Sequence, residues 1–312
     1  FLRRRQRSMS SPMTQPPKIF DRALRARRRD RAAAGFAEHA FAHKEAATRV
    51  AERLEEVLRS FPDLAILGAA EGVFSRAVEG RFGIERIRQF ERSSELAAQA
   101  GAEHWTQDAL PLEAASQDLV LSGLDLHADN DPVGTLIQIR RALRPDGLFI
   151  GVLFGGDTLA ELRVALAEAE TEIDGGLSPR VSPMAEIRDL GALLQRAGFA
   201  LPVADSDRLT VWYSSPFDLM RDLRSMGETN ALVDRRRVPL RRATLLRACE
   251  IYQQNFSRAD GKVRATFELV FLTGWAYDAS QPQPLRPGSA KSRLADALGV
   301  TEQTTGEKAG RS

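Results

Sequence analysis

The chain has 312 residues, 43% hydrophobic and 28% charged, enough to build a full apolar core as one large domain. Its 44 basic residues nearly balance 42 acidic ones, and a net charge of +2 excludes a global electrostatic attraction to nucleic acid. The single cysteine, Cys249, excludes an intramolecular disulfide and a cysteine-only metal site, and no apolar run approaches the length of a bilayer span.

Residues 1–17 are rich in Arg and Ser and lack the apolar stretch of a secretory signal, so they read as a disordered leader with Met9 or Met13 as the expected start. Residues 18–60 read as a helical arm. Asp21 is placed to cap a helix containing Leu24, and Phe41, Val50, Leu54, Val57 and Leu58 recur on one face until Pro62 ends the segment. The arm concentrates Arg22, Arg25, Arg27, Arg28, Arg29 and Arg31. That density predicts a solvated face or a partner contact, with a peripheral membrane contact as a further option. It lacks the interleaved aromatics of a nucleic-acid surface, so no nucleic-acid partner is expected.

From residue 61 short apolar runs alternate with helices. Strands are predicted at Leu64–Leu67, Ile84–Phe90, Asp118–Ser122 and Leu148–Phe154, with helices at Val73–Val78, Ser94–Ala100 and Pro132–Leu143 between them. This alternation predicts an α/β fold, a parallel sheet with helices on both faces. Gly155 and Gly156 then lead into an acidic amphipathic helix, a Ser/Pro-rich loop and a helix closed by Ala197-Gly198-Phe199. Leu209–Tyr213 reads as a strand, Phe217–Met226 and Leu240–Phe256 as helices, and Arg264–Tyr277 as a last long strand. The organisation expected is a core over 61–213, a helical lid over 214–262, a final sheet strand over 263–278 and a loose tail over 279–312.

Candidate site residues lie at the strand ends, where open α/β sheets bind ligands. The first strand-to-helix turn carries Gly68, Ala70 and Gly72, which lets a ligand approach the backbone, although a tight turn without a ligand reads equally well. The second strand ends at Glu91, placed either to accept ribose hydroxyls or to sit solvated on the surface. Asp108-Ala109-Leu110-Pro111 precedes the strand that ends at Ser122, and His127 follows it, near the expected cofactor mouth. Asp157 and Thr158 lie beyond the Leu148–Phe154 strand at the same end, where either serves also as a helix cap; Glu161 and Arg163 continue that helix toward a substrate. His39 and His43 share a helix face with Glu38 and Glu45 nearby, yet an ordinary helix face explains them better than iron ligation, and no metal site is expected. Cys249, Trp212, Tyr213 and Trp275 read as core.

The Asp108-to-Pro111 loop, the Asp118-Leu-Val strand opening and Leu143-Arg-Pro-Asp-Gly147 resemble the middle of class I S-adenosylmethionine (SAM) methyltransferases. The resemblance implies a Rossmann-like seven-stranded sheet with SAM as cofactor. It implies that Gly68 and Gly72, with Ala70, approach the methionyl part, and that Glu91 holds the ribose. Asp108 would bond the adenine amino group, Ala109 and Leu110 would line the base, and Ser122 would complete the site. Ile66 stands where that superfamily has Asp, and Ala70 where it has Gly.

More narrowly, Ile19-Phe20-Asp21-Arg22, Gly155 to Leu159, Gly175 to Pro179, Val181-Ser182-Pro183, Met226-Gly227-Glu228 and Gly274-Trp275 resemble the complex I assembly factor 5 family. That family resemblance implies arginine hydroxylation of a quinone-proximal subunit of NADH:quinone oxidoreductase (complex I), in the cytoplasm or at the inner membrane surface. Thr158 to Leu162 is similar also to the malonyl-carrier methyltransferase of the biotin pathway, which implies a conventional SAM-dependent methyltransferase. A non-catalytic assembly chaperone is the third reading. Methyl transfer needs little beyond alignment and exclusion of water, whereas hydroxylation needs an oxygen-activating metal or flavin. His127, Asp157 and Thr158 are the catalytic candidates.

Overall fold

The computed structural model describes residues 18–281. Seven strands form one sheet: β1 (Asp63–Leu67), β2 (Arg86–Glu91), β3 (Glu103–His104), β4 (Gln117–Gly123), β5 (Leu143–Phe154), β6 (Ala200–Tyr213) and β7 (Val263–Trp275). Their order is β3-β2-β1-β4-β5-β7-β6. The first five are mutually parallel, and β7 runs antiparallel between β5 and β6. This is the α/β sheet that the alternating pattern predicts, with the seven strands that the resemblance implies. Leu119, Val120 and Leu121 of β4 are all essentially inaccessible, because a central parallel strand is covered on both faces.

Ten α-helices surround the sheet among the described residues: α1 (Arg22–Ala32), α2 (Phe36–His39), α3 (Phe41–Glu55), α4 (Val73–Val78), α5 (Ser94–Ala100), α6 (Pro132–Ala142), α7 (Ala160–Asp174), α8 (Ile187–Ala197), α9 (Pro216–Ser225) and α10 (Arg242–Phe256). One core joins β1, β4 and β5 to Val50 and Leu54 of α3, Leu162 of α7 and Ile251 of α10. The other, on the opposite face, packs Leu136 and Ile139 of α6 with Leu190 and Leu194 of α8. Asp21 caps α1 as predicted, accepting from Leu24 N at 3.0 Å. The chain ahead of α1 is tied to the segment after α9 by Asp21 N to Ala231 O (2.8 Å) and Val233 N to Ile19 O (2.9 Å). Residues 278–281 form a separate short turn in which Ser280 donates to Asp278.

Three expectations need correction. Strand β6 begins at Ala200, nine residues before Leu209, because an edge strand alternates half-buried and exposed positions and Pro202, Asp205 and Asp207 conceal it. Its aspartates are held by Arg49 and Arg53 of α3. Leu58 is almost wholly exposed, since α3 ends at Glu55 and carries no face that far. Trp212 is exposed rather than core, with the Arg258 guanidinium 4.5 Å above its ring. The tail beyond residue 281 and the leader lie outside the described residues.

The ends of β1 and β4 meet closely. Gly68 has φ +77°, and a Cβ there would stand 2.5 Å from the Gly123 carbonyl oxygen. Gly68→Ala is therefore expected to lose about 1–2 kcal/mol from the left-handed backbone alone, with the collision adding to it, as read by urea unfolding.

Candidate functional site

The turn from β1 into α4 winds through three consecutive left-handed residues, Ala70 (φ 46°), Glu71 (φ 60°) and Gly72 (φ 77°). Two of these are not glycine, so the turn stores strain, which collects at functional sites. The winding aims Ala70 N at Glu91 Oε2, 3.0 Å away. Glu91 is buried at the end of β2 and is fully engaged. Its Oε1 accepts from Arg92 N (2.9 Å) and Ser93 N (3.1 Å), and its Oε2 accepts also from Arg29 Nη2 (3.2 Å).

Arg29 belongs to α1, and so do Arg22 and Arg25, which join it at this end of the sheet. Arg22 pairs with Asp108 and with Asp129. Arg25 pairs with Asp125 and reaches Leu124 O (3.1 Å) and Glu228 Oε1 (3.2 Å); Arg29 also meets Glu228 Oε1 (3.1 Å). Arg92 lies 3.5 Å from Asp125. Arg25 and Arg29 are 6% and 2% exposed, which corrects the solvated-face reading. Spacings of three and four residues put Arg22, Arg25 and Arg29 on one face of α1, and that face turns inward. Arg27 and Arg31 remain exposed.

Burial alone would raise the carboxyls of Asp125 and Glu228, but the arginines outweigh it. Arg25 and Arg92 hold Asp125 below the usual range; Arg25, His127 and Arg29 hold Glu228 well below it. Burial likewise opposes the charge of Arg25, and Glu228 and Asp125 raise it nonetheless.

The loop meant for the base is ordered by the protein itself. Trp105 Nε1 donates to Ala109 O (2.9 Å), and Leu110 N donates to Gln138 Oε1 (2.8 Å). Asp108 is largely exposed and turned toward Arg22. Ser122 is buried, and its Oγ has no partner among the described residues. The donor set at these strand ends suits a nucleoside cofactor: a glycine turn, a buried acid and a second acid. Between Arg22, Arg25, Arg29, Arg92 and Asp125, where α1 lies over the strand ends, the free volume is about 10 Å³, room for roughly one water, whereas a space of about 640 Å³ opens beside Asp108, Thr135 and Gln138.

A separate cavity of about 230 Å³ opens beyond the ends of β4 and β5. Phe154, Leu159, Leu162, Met184, Met220 and Phe267 form apolar walls, and Arg25, His127 and Glu228 close one end. It lies below the ~300–1,000 Å³ of drug-sized ligand sites, so it suits one side chain better than a cofactor. His127 lines this cavity rather than the glycine turn: its ring meets Phe154 edge-on at 5.0 Å and Nε2 faces Glu228 Oε2 at 3.4 Å. Thr158 lines the cavity, but its hydroxyl donates to Glu268 O (3.2 Å) and accepts from Glu268 N (3.1 Å).

Other candidates fall away from this site. Asp157 is exposed and paired with Arg208, and neither it nor Thr158 caps α7, whose N-cap is left-handed Leu159. Glu161 is buried against β7, accepting from Thr266 N (3.1 Å), Thr266 Oγ1 (2.6 Å) and Arg264 Nε (3.0 Å). Arg163 donates to Gly156 O and Thr158 O. His39 bonds Asp222 at 2.6 Å, whereas His43 is buried beside Phe36, so the two do not act together. Among the described residues no group of three or more His, Cys, Asp or Glu side chains is arranged to hold a metal ion, and no helix is long and apolar enough to cross a membrane. Cys249 is buried in α10, and burial pushes its thiol pKa up.

Sequence reasoning missed Arg25, Arg29, Asp125 and Glu228 as site residues. Glu228 follows Gly227 (φ +76°) in the turn after α9, where a Met-Gly-Glu triplet is the one local mark.

Comparison with known proteins follows the same outline. A model described as "Methyltransferase domain" matches residues 66–151. The YcgJ protein of Bacillus subtilis shares the fold at TM-score 0.52 and 12% identity, over 75% of this chain and all of that one. Fold and match together define an enzyme of the class I SAM-dependent methyltransferase fold. Arginine-hydroxylase NDUFAF5 of Homo sapiens is 38% identical over 91% of this chain and 84% of its own, and that of Danio rerio 37% over 93% and 92%. The malonyl-[acyl-carrier protein] O-methyltransferase of Xylella fastidiosa is 31% identical over 83% and 89%. The chain belongs to the NDUFAF5 arginine-hydroxylase family.

Proposed function

We propose that this enzyme hydroxylates an arginine on the quinone-proximal subunit of NADH:quinone oxidoreductase during assembly of that complex. The observation that carries the reading is the 38% identity to the human arginine hydroxylase over 91% of this chain. The cavity agrees in kind, being side-chain sized, apolar along its walls and carrying the Glu228 carboxylate at one end beside Arg25 and His127. SAM is the cofactor proposed, with Gly68, Gly72, Glu91, Asp108, Ala109 and Leu110 as its holders once the arginines of α1 withdraw. Oxygen activation belongs to a bound redox group, because side chains do not supply it. The chain's own residues would orient the arginine and exclude water. Exposed Arg27 and Arg31 of α1 are the cations left for contact with a partner or an anionic membrane surface.

A conventional methyltransferase is the second reading, favoured by the 31% identity to the malonyl-carrier enzyme. Peptide mass spectrometry of the quinone-proximal subunit from wild-type and deletion strains separates the two. The expected result is loss of one oxygen's mass from an arginine in the deletion strain. Loss of one methylene's mass would move the assignment to methyl transfer onto the subunit, and no difference would move it to an assembly chaperone or to a methyltransferase of an unrelated small molecule.

A further inference from the structure

The 230 Å³ cavity ends on a carboxylate whose cationic neighbours come from the arm. Glu228 Oε1 accepts from both Arg25 (3.2 Å) and Arg29 (3.1 Å). Its Oε2 has the 3.4 Å contact to His127 Nε2, at the long limit for a hydrogen bond, and His127 Nδ1 has no partner among the described residues. A carboxylate offers about four acceptor positions. With Arg25, Arg29 and His127 on three of them, one position of this nearly buried, ionised group is left, on the side that faces the cavity through His127. Buried polar groups left short of partners in a native fold call for a ligand or another specific explanation.

Charge decides which ligand. Arg25, Arg29 and Arg92 meet Glu91, Asp125 and Glu228, three cations against three anions. A cation added to this balanced, buried set leaves an uncompensated charge unless an arm arginine yields its contact. The walls beside it, Leu159, Leu162, Met220 and Phe267, suit a run of methylenes. An apolar stem with a planar cationic head is an arginine side chain, whose fork fits a carboxylate.

We propose that Glu228 receives the guanidinium of the substrate arginine, and that Arg25 and Arg29 keep its place until the substrate arrives. The assignment rests on the arginine-substrate reading. It has a consequence for the cofactor cleft, because Arg29 spans the two sites, Nη1 on Glu228 (3.1 Å) and Nη2 on Glu91 (3.2 Å). Displacing Arg29 from Glu228 also loosens its hold on the acid meant for ribose. Substrate and nucleoside binding then favour each other, and the coupling is reciprocal.

The test is calorimetric titration of the full chain with N-acetyl-arginine amide and with its neutral citrulline counterpart, with and without S-adenosylhomocysteine. Wild type is expected to bind the arginine probe in preference to the citrulline one, and more tightly with the nucleoside present. Glu228→Gln should weaken arginine binding by roughly tenfold or more, the worth of a charged hydrogen bond. The double variant Arg25→Gln/Glu228→Gln removes one charge of each sign and should bind as weakly while melting near wild type, so that unfolding does not explain the loss. Arg25→Gln alone should bind the arginine probe more tightly than wild type. Equal affinity of the double variant and wild type, equal binding of citrulline, or no arginine binding by wild type and Arg25→Gln alike overturns the proposal. If Glu228 proves dispensable while the oxygen's mass still depends on this protein, this assignment alone fails. Glu228-dependent binding with no mass change on the subunit arginine overturns the hydroxylase reading and keeps the guanidinium site.

Discussion

Arg29→Met is expected to lower the unfolding free energy at pH 7 by about 3–5 kcal/mol, the cost of removing one partner from a buried ion pair. Arg29 is 2% exposed and bridges two carboxylates that are themselves buried or nearly so. Methionine fills the aliphatic part of the space but leaves Glu91 and Glu228 facing each other. The two do not suffer equally. Glu91 keeps the amides of Ala70, Arg92 and Ser93, whereas Glu228 is left with Arg25 and a long contact to His127. The penalty should therefore fall mainly on Glu228, and it should depend on pH. In the native protein Glu228 and Asp125 are held below the range of the unfolded chain. Their stabilisation is present above the unfolded carboxyl pKa, near ~4, and is lost as pH falls through the lower folded values. Without Arg29 the native carboxyl takes a proton more easily, so the gap between variant and wild type should narrow below about pH 4. Urea unfolding at pH 7 and pH 3 measures both effects. Arg27→Met, on the exposed side of the same helix, is the control and should change stability by less than about 0.5 kcal/mol. A loss as small for Arg29 as for Arg27 would mean that the bridge contributes nothing.

That contrast between Arg27 and Arg29 also marks where the sequence stops being informative. Strands β1, β4 and β5 are continuous apolar runs bounded by Gly, Pro and Asp, and such runs announce themselves because both faces of each strand are buried. The glycine turn and Glu91 are local features of one strand-turn-helix unit, so their place at the sheet's carboxyl end is legible. Strand β6 is not, because half its side chains face solvent and its aspartates pair with a helix about 150 positions away. Strand β3 is two residues long and both are exposed. The charged network is hidden for a similar reason. Arg25 and Arg29 sit among six arginines of α1, and their partner Glu228 lies 203 and 199 positions along the chain. A buried, paired arginine and a solvated one are the same letter, and only the fold chooses between them. Glu161 shows the converse error. It stands on the helix that leaves the active-site end, yet three hydrogen bonds to β7 make it a fastener of the sheet edge.

His43→Leu is expected to stabilise the protein by about 1–3 kcal/mol at pH 7, the cost usually attached to buried polar atoms without partners. His43 is wholly inaccessible on the inward face of α3, with the Phe36 ring edge-on at 5.0 Å. Neither ring nitrogen has a hydrogen-bond partner among the described residues. Burial, followed by the nearby charge of Arg29, pulls the ring's pKa down to about 3. The unfolded chain takes up its proton near pH 6.5 and the native one not until far lower, so acid favours unfolding at this position. The stability tied to the neutral ring is complete above about pH 6.5 and falls away between there and pH 3. Between pH 7 and pH 5 that amounts to about 2 kcal/mol. Leucine has no proton to take up, so the advantage of His43→Leu should widen by about 2 kcal/mol over that interval. Urea unfolding of both proteins at pH 7 and pH 5 gives the four numbers required. A pH-independent difference would show that the ring titrates alike in both states, and with it that a water or an unseen partner satisfies the ring. A widening gap would show instead that α3 carries an uncharged histidine beside Arg29, leaving that guanidinium's interactions to Glu91 and Glu228.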